Sequence, residues 1–184
     1  GLREGQALDP TSPYGISKRA SEEYLRVLSN HYNFQSASLR LFNVYGPGQD
    51  LRRMNQGMLS IYLGQALELK KVTIKGSLER FRDFVHVADV VRAFIMTGEA
   101  LAADHTILNV CSGERTTVGE AIEILRNGIH RDLAIEVSGS TPGDVSGWVG
   151  DSKKIAEHVG WKSEISFEAG WKEMIAIEKA RWKQ

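Results

Sequence analysis

The stretch "SPYGISKRASEEYLRVLSNHYNFQSASLRLFNVYGPG", residues 12–48, decides the fold of this chain. Ser12 can cap a helix whose first residue is Pro13, and apolar residues then recur at helical spacing as far as Tyr32. The segment after this helix predicts a strand that runs into a loop of glycine and proline. Its expected buried residues are Ala37, Leu39, Leu41 and Phe42.

Helices and strands continue to alternate along the rest of the chain. The pattern predicts helices over 54–70, over "VVRAFIMTGEAL" after a cap at Asp89, over "VGEAIEILRNGI" after Thr116 or Thr117, and over 152–158 and 167–181. It predicts strands at "KVTIKG", "RDFVHV", "HTILNVCSG" and "LAIEV". Strands that alternate with helices of about ten or more residues predict a mainly parallel α/β fold.

Composition and charge limit the kinds of partner. The chain has 23 lysines and arginines against 23 aspartates and glutamates, so its overall charge would attract neither nucleic acid nor an anionic membrane. No apolar run approaches the roughly 20 residues that span a bilayer. Cys111 is the single cysteine, which excludes an internal disulfide and favours a cytoplasmic location. The histidines lack the spacing of metal ligands, so we expect no metal.

Tyr14 and Lys18 are the first candidates for catalysis. They are four residues apart on the predicted helix, a spacing that places two side chains on one face. Free tyrosine has a pKa of about 10, and a nearby ammonium favours the phenolate. A base of this kind can take the proton from a sugar hydroxyl while hydride leaves the carbon. The alternative is a half-buried ring beside a solvated amine, which is the ordinary use of such a pair.

Four blocks of sequence, in this order, resemble the extended short-chain dehydrogenase/reductase family. They are "SPYGISK", "LRLFNVYGPG", "RFRDFVHVADVVRAF" and "TPGDVSGWVGDSKKIAEHVGW". The chain resembles the C-terminal portion of the NAD-dependent epimerases and dehydratases, in particular UDP-glucose 4-epimerase. The resemblance implies an incomplete Rossmann-like doubly wound sheet over 1–45 and 83–115, carrying the helix of Tyr14. It implies a small α/β substrate-binding lobe over 46–82 and 116–184.

The same resemblance implies roles for individual residues. Tyr14 would be the catalytic acid/base and Lys18 its electrostatic partner, which also binds the nicotinamide ribose. Phe42 and Val44 would lie beside the nicotinamide. The residues implied in binding a nucleotide-diphosphate sugar are Asn43, Gln56, Thr73, Lys75, Arg82 and Asp144.

Each of these residues also has an ordinary structural use. Asn43 and Asp144 could simply form turns, and Arg82 could be a surface arginine. Arg80 lies on the same predicted face as Arg82, so the choice between them rests on the family motif "RDF". The chain departs from the family at Thr141, where many relatives have a second phosphate-binding arginine.

Two parts of the family pattern are missing from this sequence. No glycine-rich turn that would bind the NAD pyrophosphate follows a strand, and the substrate-binding serine or threonine that precedes the tyrosine is also missing. We therefore predict that the chain is the C-terminal half of an enzyme of carbohydrate metabolism. Alone, this chain is expected to bind NAD weakly and to be inactive. The predicted activity is UDP-sugar 4-epimerisation through a 4-keto intermediate. The alternatives are a 4,6-dehydratase or reductase of the same family and a noncatalytic nucleotide-sugar-binding or assembly fragment.

We also expect a homodimer or higher oligomer. Removing strands from a doubly wound sheet exposes a sheet edge and apolar helix faces, both of which favour association. In the family, the helix of the tyrosine and lysine packs in a dimer interface. Tyr24, Leu28 and Tyr32 are therefore the residues expected between the two chains.

Overall fold

The structure is a computed structural model that describes residues 1–53, 57–100, 105–139 and 146–182. Helices in these ranges are α1 (Pro13–Tyr32), α2 (Met58–Leu69), α3 (Val87–Glu99), α4 (Val118–Ile129), α5 (Lys153–Val159) and α6 (Phe167–Trp182). Strands in these ranges are β1 (Ala37–Leu41), β2 (Asn43–Tyr45), β3 (Lys71–Lys75), β4 (Phe81–Arg82), β5 (Phe84–His86), β6 (Thr106–Val110), β7 (Thr116–Thr117) and β8 (Ala134–Ser138). The alternation confirms the predicted α/β class.

Most of the strand pairs are parallel, as the sequence predicts. β1 pairs with β6, β2 with β5, and β3 with β8, all in parallel register. The exception is the short antiparallel pair of β4 with β7. β4 and β5 follow one another but pair with different strands, β7 and β2, so Asp83 between them connects two separate strand pairs.

The described residues form two apolar clusters. One packs α2, α4 and α6 around β3, with Leu63, Trp171 and Met174 at its centre. The other packs α3 and α5 against β5 and β6, and includes Trp161. The indole N–H groups of Trp161 and Trp171 donate to the backbone oxygens of Asp89 and Ala121, each at 2.9 Å. Both tryptophans therefore bind the backbone of a neighbouring helix, Trp161 that of α3 and Trp171 that of α4.

The local details differ from the predictions at several points. Leu41 is 42% exposed rather than buried, because β1 has a strand neighbour on one side only among the described strands. The predicted strand "RDFVHV" is interrupted at Asp83. His86, not Asp89, caps α3: its ring accepts the Ala88 N–H at 3.3 Å.

Asp89 has a different function in the fold. Its buried carboxylate accepts the backbone N–H groups of Glu164 and Ile165, and so ties α3 to the segment before α6. None of the described helices is long and apolar enough to cross a membrane.

Candidate active site

The first turn of α1 positions Tyr14 and Lys18. Ser12 caps this turn by accepting the Gly15 N–H at 3.1 Å, and Pro13 occupies the first helical position. Tyr14 is 71% exposed. The Lys18 amine lies 5.5 Å from the centre of the Tyr14 ring, within the range of a cation–π contact. The pair is therefore on one side of the helix, with the phenol open to a ligand.

Tyr14 and Lys18 line a groove between α1 and β1. The groove has a volume of about 650 Å³, within the range of pockets that bind small molecules and cofactors. Glu22 of α1 and Arg40 of β1 form an ion pair at 2.8 Å across it. The hydrogen bond from Arg40 to Glu22 raises the pKa of the guanidinium above its usual value. This ion pair fixes the position of α1, and with it the position of Tyr14, relative to the sheet.

Asn43 lies at the start of β2, two residues after β1 ends. Its backbone N–H and its side-chain amide both donate to the backbone oxygen of Asp83, each at 3.1 Å. The neighbouring Phe42 and Val44 are both half-buried. These three consecutive residues thus lie where β1 ends and β2 begins, with Asn43 exposed.

Arg82 adjoins this group because it immediately precedes Asp83. Its side chain is half-buried and donates to the Phe81 oxygen at 2.8 Å. Arg80, the other arginine of the motif, instead donates to the Ser77 oxygen at 3.1 Å and to the Lys75 oxygen. These bonds close the turn after β3, so Arg80 stabilises that turn.

Thr73 and Lys75 lie on β3, which packs in the cluster of α2, α4 and α6. The Thr73 hydroxyl approaches Glu136 of β8 at 3.5 Å, and Lys75 is exposed at the end of the strand. Gln56, Asp144 and the departure at Thr141 lie outside the residues that the structure describes.

Asp83 is a residue of this site that the sequence reasoning missed. It is fully buried, and its carboxylate accepts four hydrogen bonds. The motif "RDF" contains Asp83, but its hydrogen-bond donors come from distant parts of the chain, so sequence spacing could not predict them.

Among the described residues, no group of three His, Cys, Asp or Glu side chains could hold a metal ion.

Comparison with known proteins identifies the family of this chain. The family model for GDP-mannose 4,6 dehydratase matches residues 1–174. A putative UDP-glucose 4-epimerase of Methanocaldococcus jannaschii is 37% identical over 162 residues, which cover 88% of this chain and 51% of that protein. The chain therefore spans about half the length of this curated relative.

Two solved structures share the fold. UDP-glucose 4-epimerase of Thermotoga maritima, solved with UDP-glucose, superimposes with a TM-score of 0.87 at 32% identity, over 94% of this chain and 55% of that one. UDP-glucose 4-epimerase of Thermus thermophilus, solved with NAD, gives a TM-score of 0.77 at 31% identity, over 95% of this chain and 58% of that one. The order of motifs, the α/β fold and the family match agree, and the chain belongs to the GDP-mannose 4,6 dehydratase family, within the NAD-dependent epimerases and dehydratases of the extended short-chain dehydrogenase/reductases.

Proposed function

We propose that this chain forms the nucleotide-sugar half of an NAD-dependent UDP-sugar 4-epimerase. The observation that carries the proposal is the Tyr14 phenol, exposed on a groove of about 650 Å³ with the Lys18 amine 5.5 Å from its ring. A relative of which the chain covers half and a solved structure that contains UDP-glucose support the choice of substrate.

Tyr14 acts as the base and then as the acid in this proposal. The phenolate takes the proton of the sugar 4-hydroxyl as hydride leaves C4, and returns the proton when hydride comes back to the other face. The Lys18 ammonium stabilises the phenolate by its charge. NAD, when bound, supplies the hydride acceptor and donor for the two half-reactions.

The residues of the groove fit one end of the cofactor. Tyr14 and Lys18 of the groove would provide a hydroxyl and an ammonium for the nicotinamide ribose. Phe42 and Val44 do not line the groove; they follow β1, which forms one of its walls, and as half-buried side chains they would provide apolar contacts for the ring. The described residues contain no glycine-rich turn for the pyrophosphate. We therefore assign only the nicotinamide end of NAD to this chain and expect the chain alone to bind the cofactor weakly.

Asn43 and Arg82 are the proposed core of the nucleotide-sugar site, together with Gln56, Thr73, Lys75 and Asp144. Arg82 would bind the diphosphate, since a guanidinium offers paired donors to phosphate oxygens. A 4,6-dehydratase or a reductase is the alternative activity, because the matched family model describes a dehydratase. A noncatalytic nucleotide-sugar-binding fragment is the second alternative.

We also propose a cytoplasmic homodimer joined through α1. Tyr24 and Tyr32 are 70% and 67% exposed, and Leu28 is 42% exposed, so one face of the helix presents apolar side chains to solvent. Covering such a face by a second copy would remove apolar area from water.

Two measurements test the proposal. Titration calorimetry with UDP should show saturable binding to the chain, weakened in Arg82→Met. The full gene product, supplied with NAD, should interconvert UDP-glucose and its 4-epimer. UDP binding without turnover would favour the noncatalytic alternative, and no binding of UDP would refute the proposal.

A further inference from the structure

We infer that Asp83 is a positioning residue that sets the orientation of the Asn43 amide for ligand recognition. The inference rests on the proposed function, because it concerns the same nucleotide-sugar site. Asp83 lies between β4 and β5 and is 0% exposed. It contacts the candidate site through its backbone and the surrounding fold through its side chain.

The Asp83 carboxylate is held by donors from two distant segments. One oxygen accepts the Ser112 N–H at 2.8 Å and the Ser112 hydroxyl at 2.7 Å. The other accepts the N–H groups of Gly113 and Gly150, each at 3.0 Å. Four donors to one buried carboxylate leave it little freedom to move.

The Asp83 backbone oxygen in turn fixes Asn43. It accepts both the backbone N–H and the Nδ2 group of Asn43, each at 3.1 Å. Because a carbonyl oxygen only accepts, the amide of Asn43 must turn Nδ2 toward Asp83. The side-chain Oδ1 and the second Nδ2 proton are then left for a ligand, at an exposed position.

The orientation matters because it selects the chemistry of the ligand. An Asn43 amide turned this way offers an acceptor to a hydroxyl or N–H of a nucleotide-sugar beside a single donor. Asp83 never touches the ligand in this arrangement and acts only through Asn43. Outer contacts of this kind commonly change affinity by about tenfold to hundredfold when they are lost.

The matched variants are Asp83→Asn and Asp89→Asn. Asp89 is also a buried carboxylate, 1% exposed, which accepts the N–H groups of Glu164 and Ile165 and the Ser163 hydroxyl, and none of these partners belongs to the candidate site. We expect Asp83→Asn to weaken UDP binding by about tenfold or more, and Asp89→Asn to change it by less than about twofold. Equal losses in the two variants would overturn the inference.

A double-mutant cycle separates positioning from a general loss of structure. If Asp83 acts through Asn43, the affinity loss of Asp83→Asn disappears in the Asn43→Ala background. An undiminished loss in that background overturns the inference. Should Asp83→Asn fail to fold, Ser112→Ala removes one of the four donors and should weaken UDP binding by about threefold in the same cycle; an unchanged affinity overturns the inference.

Nuclear magnetic resonance tests the same claim without a ligand. The Nδ2 proton of Asn43 that bonds to the Asp83 oxygen should exchange slowly in the wild type and in Asp89→Asn, and rapidly in Asp83→Asn. Slow exchange in Asp83→Asn refutes the positioning. If the wild type binds no UDP, the proposed function fails, and this exchange measurement still decides the role of Asp83.

Discussion

Replacing Gly150 by alanine should destabilise the protein because no space exists for a methyl group. Gly150 is buried, and its N–H donates to Asp83. An added Cβ would lie closest to the Cys111 sulfur, 2.7 Å from Cζ of Phe42 and 2.8 Å from Cβ of Cys111. Cys111 is itself fully buried, so it cannot swing away.

The size of the effect follows from the packing. Inserting a methyl group into a close-packed interior costs about 1–3 kcal/mol. For a chain of this length, each kcal/mol lowers Tm by about 2–4 °C, so Gly150→Ala should melt about 2–12 °C lower. Thermal unfolding followed by circular dichroism measures the shift.

The matched control is Gly5→Ala. Gly5 has no atom within 4 Å of the added Cβ, so its Tm should stay within about 2 °C of the wild type. A Gly150→Ala protein as stable as this control would refute the packing at Asp83, Phe42 and Cys111.

Three further predictions concern the α4 cap, the buried thiol and the α1 face. Hydrogen bonds from Thr117 lower the pKa of Glu120 below its usual 4.5, so this carboxylate stabilises the fold above that pH and the contribution is lost as pH falls through the folded pKa. The stability difference between wild type and Glu120→Gln, measured by urea unfolding, should therefore shrink between about pH 6 and pH 3; a constant difference contradicts the cap. Burial raises the pKa of the Cys111 thiol from 9.0 to about 12, so at pH 8 the native thiolate is roughly a thousandfold rarer, and a thiol reagent should label Cys111 only after unfolding. In sedimentation velocity, Tyr24→Glu should convert the proposed dimer to monomer, whereas Asn30→Glu, off the apolar stripe of α1, should leave the proposed dimer intact; a dimer in both variants contradicts the proposed interface.

The helix that carries the candidate catalytic pair was predictable from the sequence. Ser12 and Pro13 mark its start, and the periodic apolar residues mark its length, all within one continuous stretch. Signals of this local kind also limited the cap of α4 to Thr116 or Thr117, and Thr117 occupies it. The four-residue spacing of Tyr14 and Lys18 then predicted that both side chains lie on one side of the helix.

The residues that organise the site were not predictable in the same way. The strand break at Asp83 depends on donors from Ser112, Gly113 and Gly150, which are 29, 30 and 67 residues away along the chain. Aspartate is a common helix cap, which is why Asp89 was predicted to cap α3. Its carboxylate instead accepts hydrogen bonds from backbone N–H groups before α6. Contacts between remote segments, rather than local propensity, determine the positions of these carboxylates.

In the proposed mechanism the Tyr14 hydroxyl moves the proton during catalysis. The direct test is the kcat of the full gene product for UDP-sugar epimerisation, compared between wild type and Tyr14→Phe. Tyr14 is 71% exposed, so removing its hydroxyl should leave the fold and the UDP affinity unchanged. We predict a loss in kcat of about 10²–10⁴-fold with an unchanged Kd for UDP. A Tyr14→Phe enzyme with the kcat of the wild type would contradict the role of Tyr14 as the acid/base.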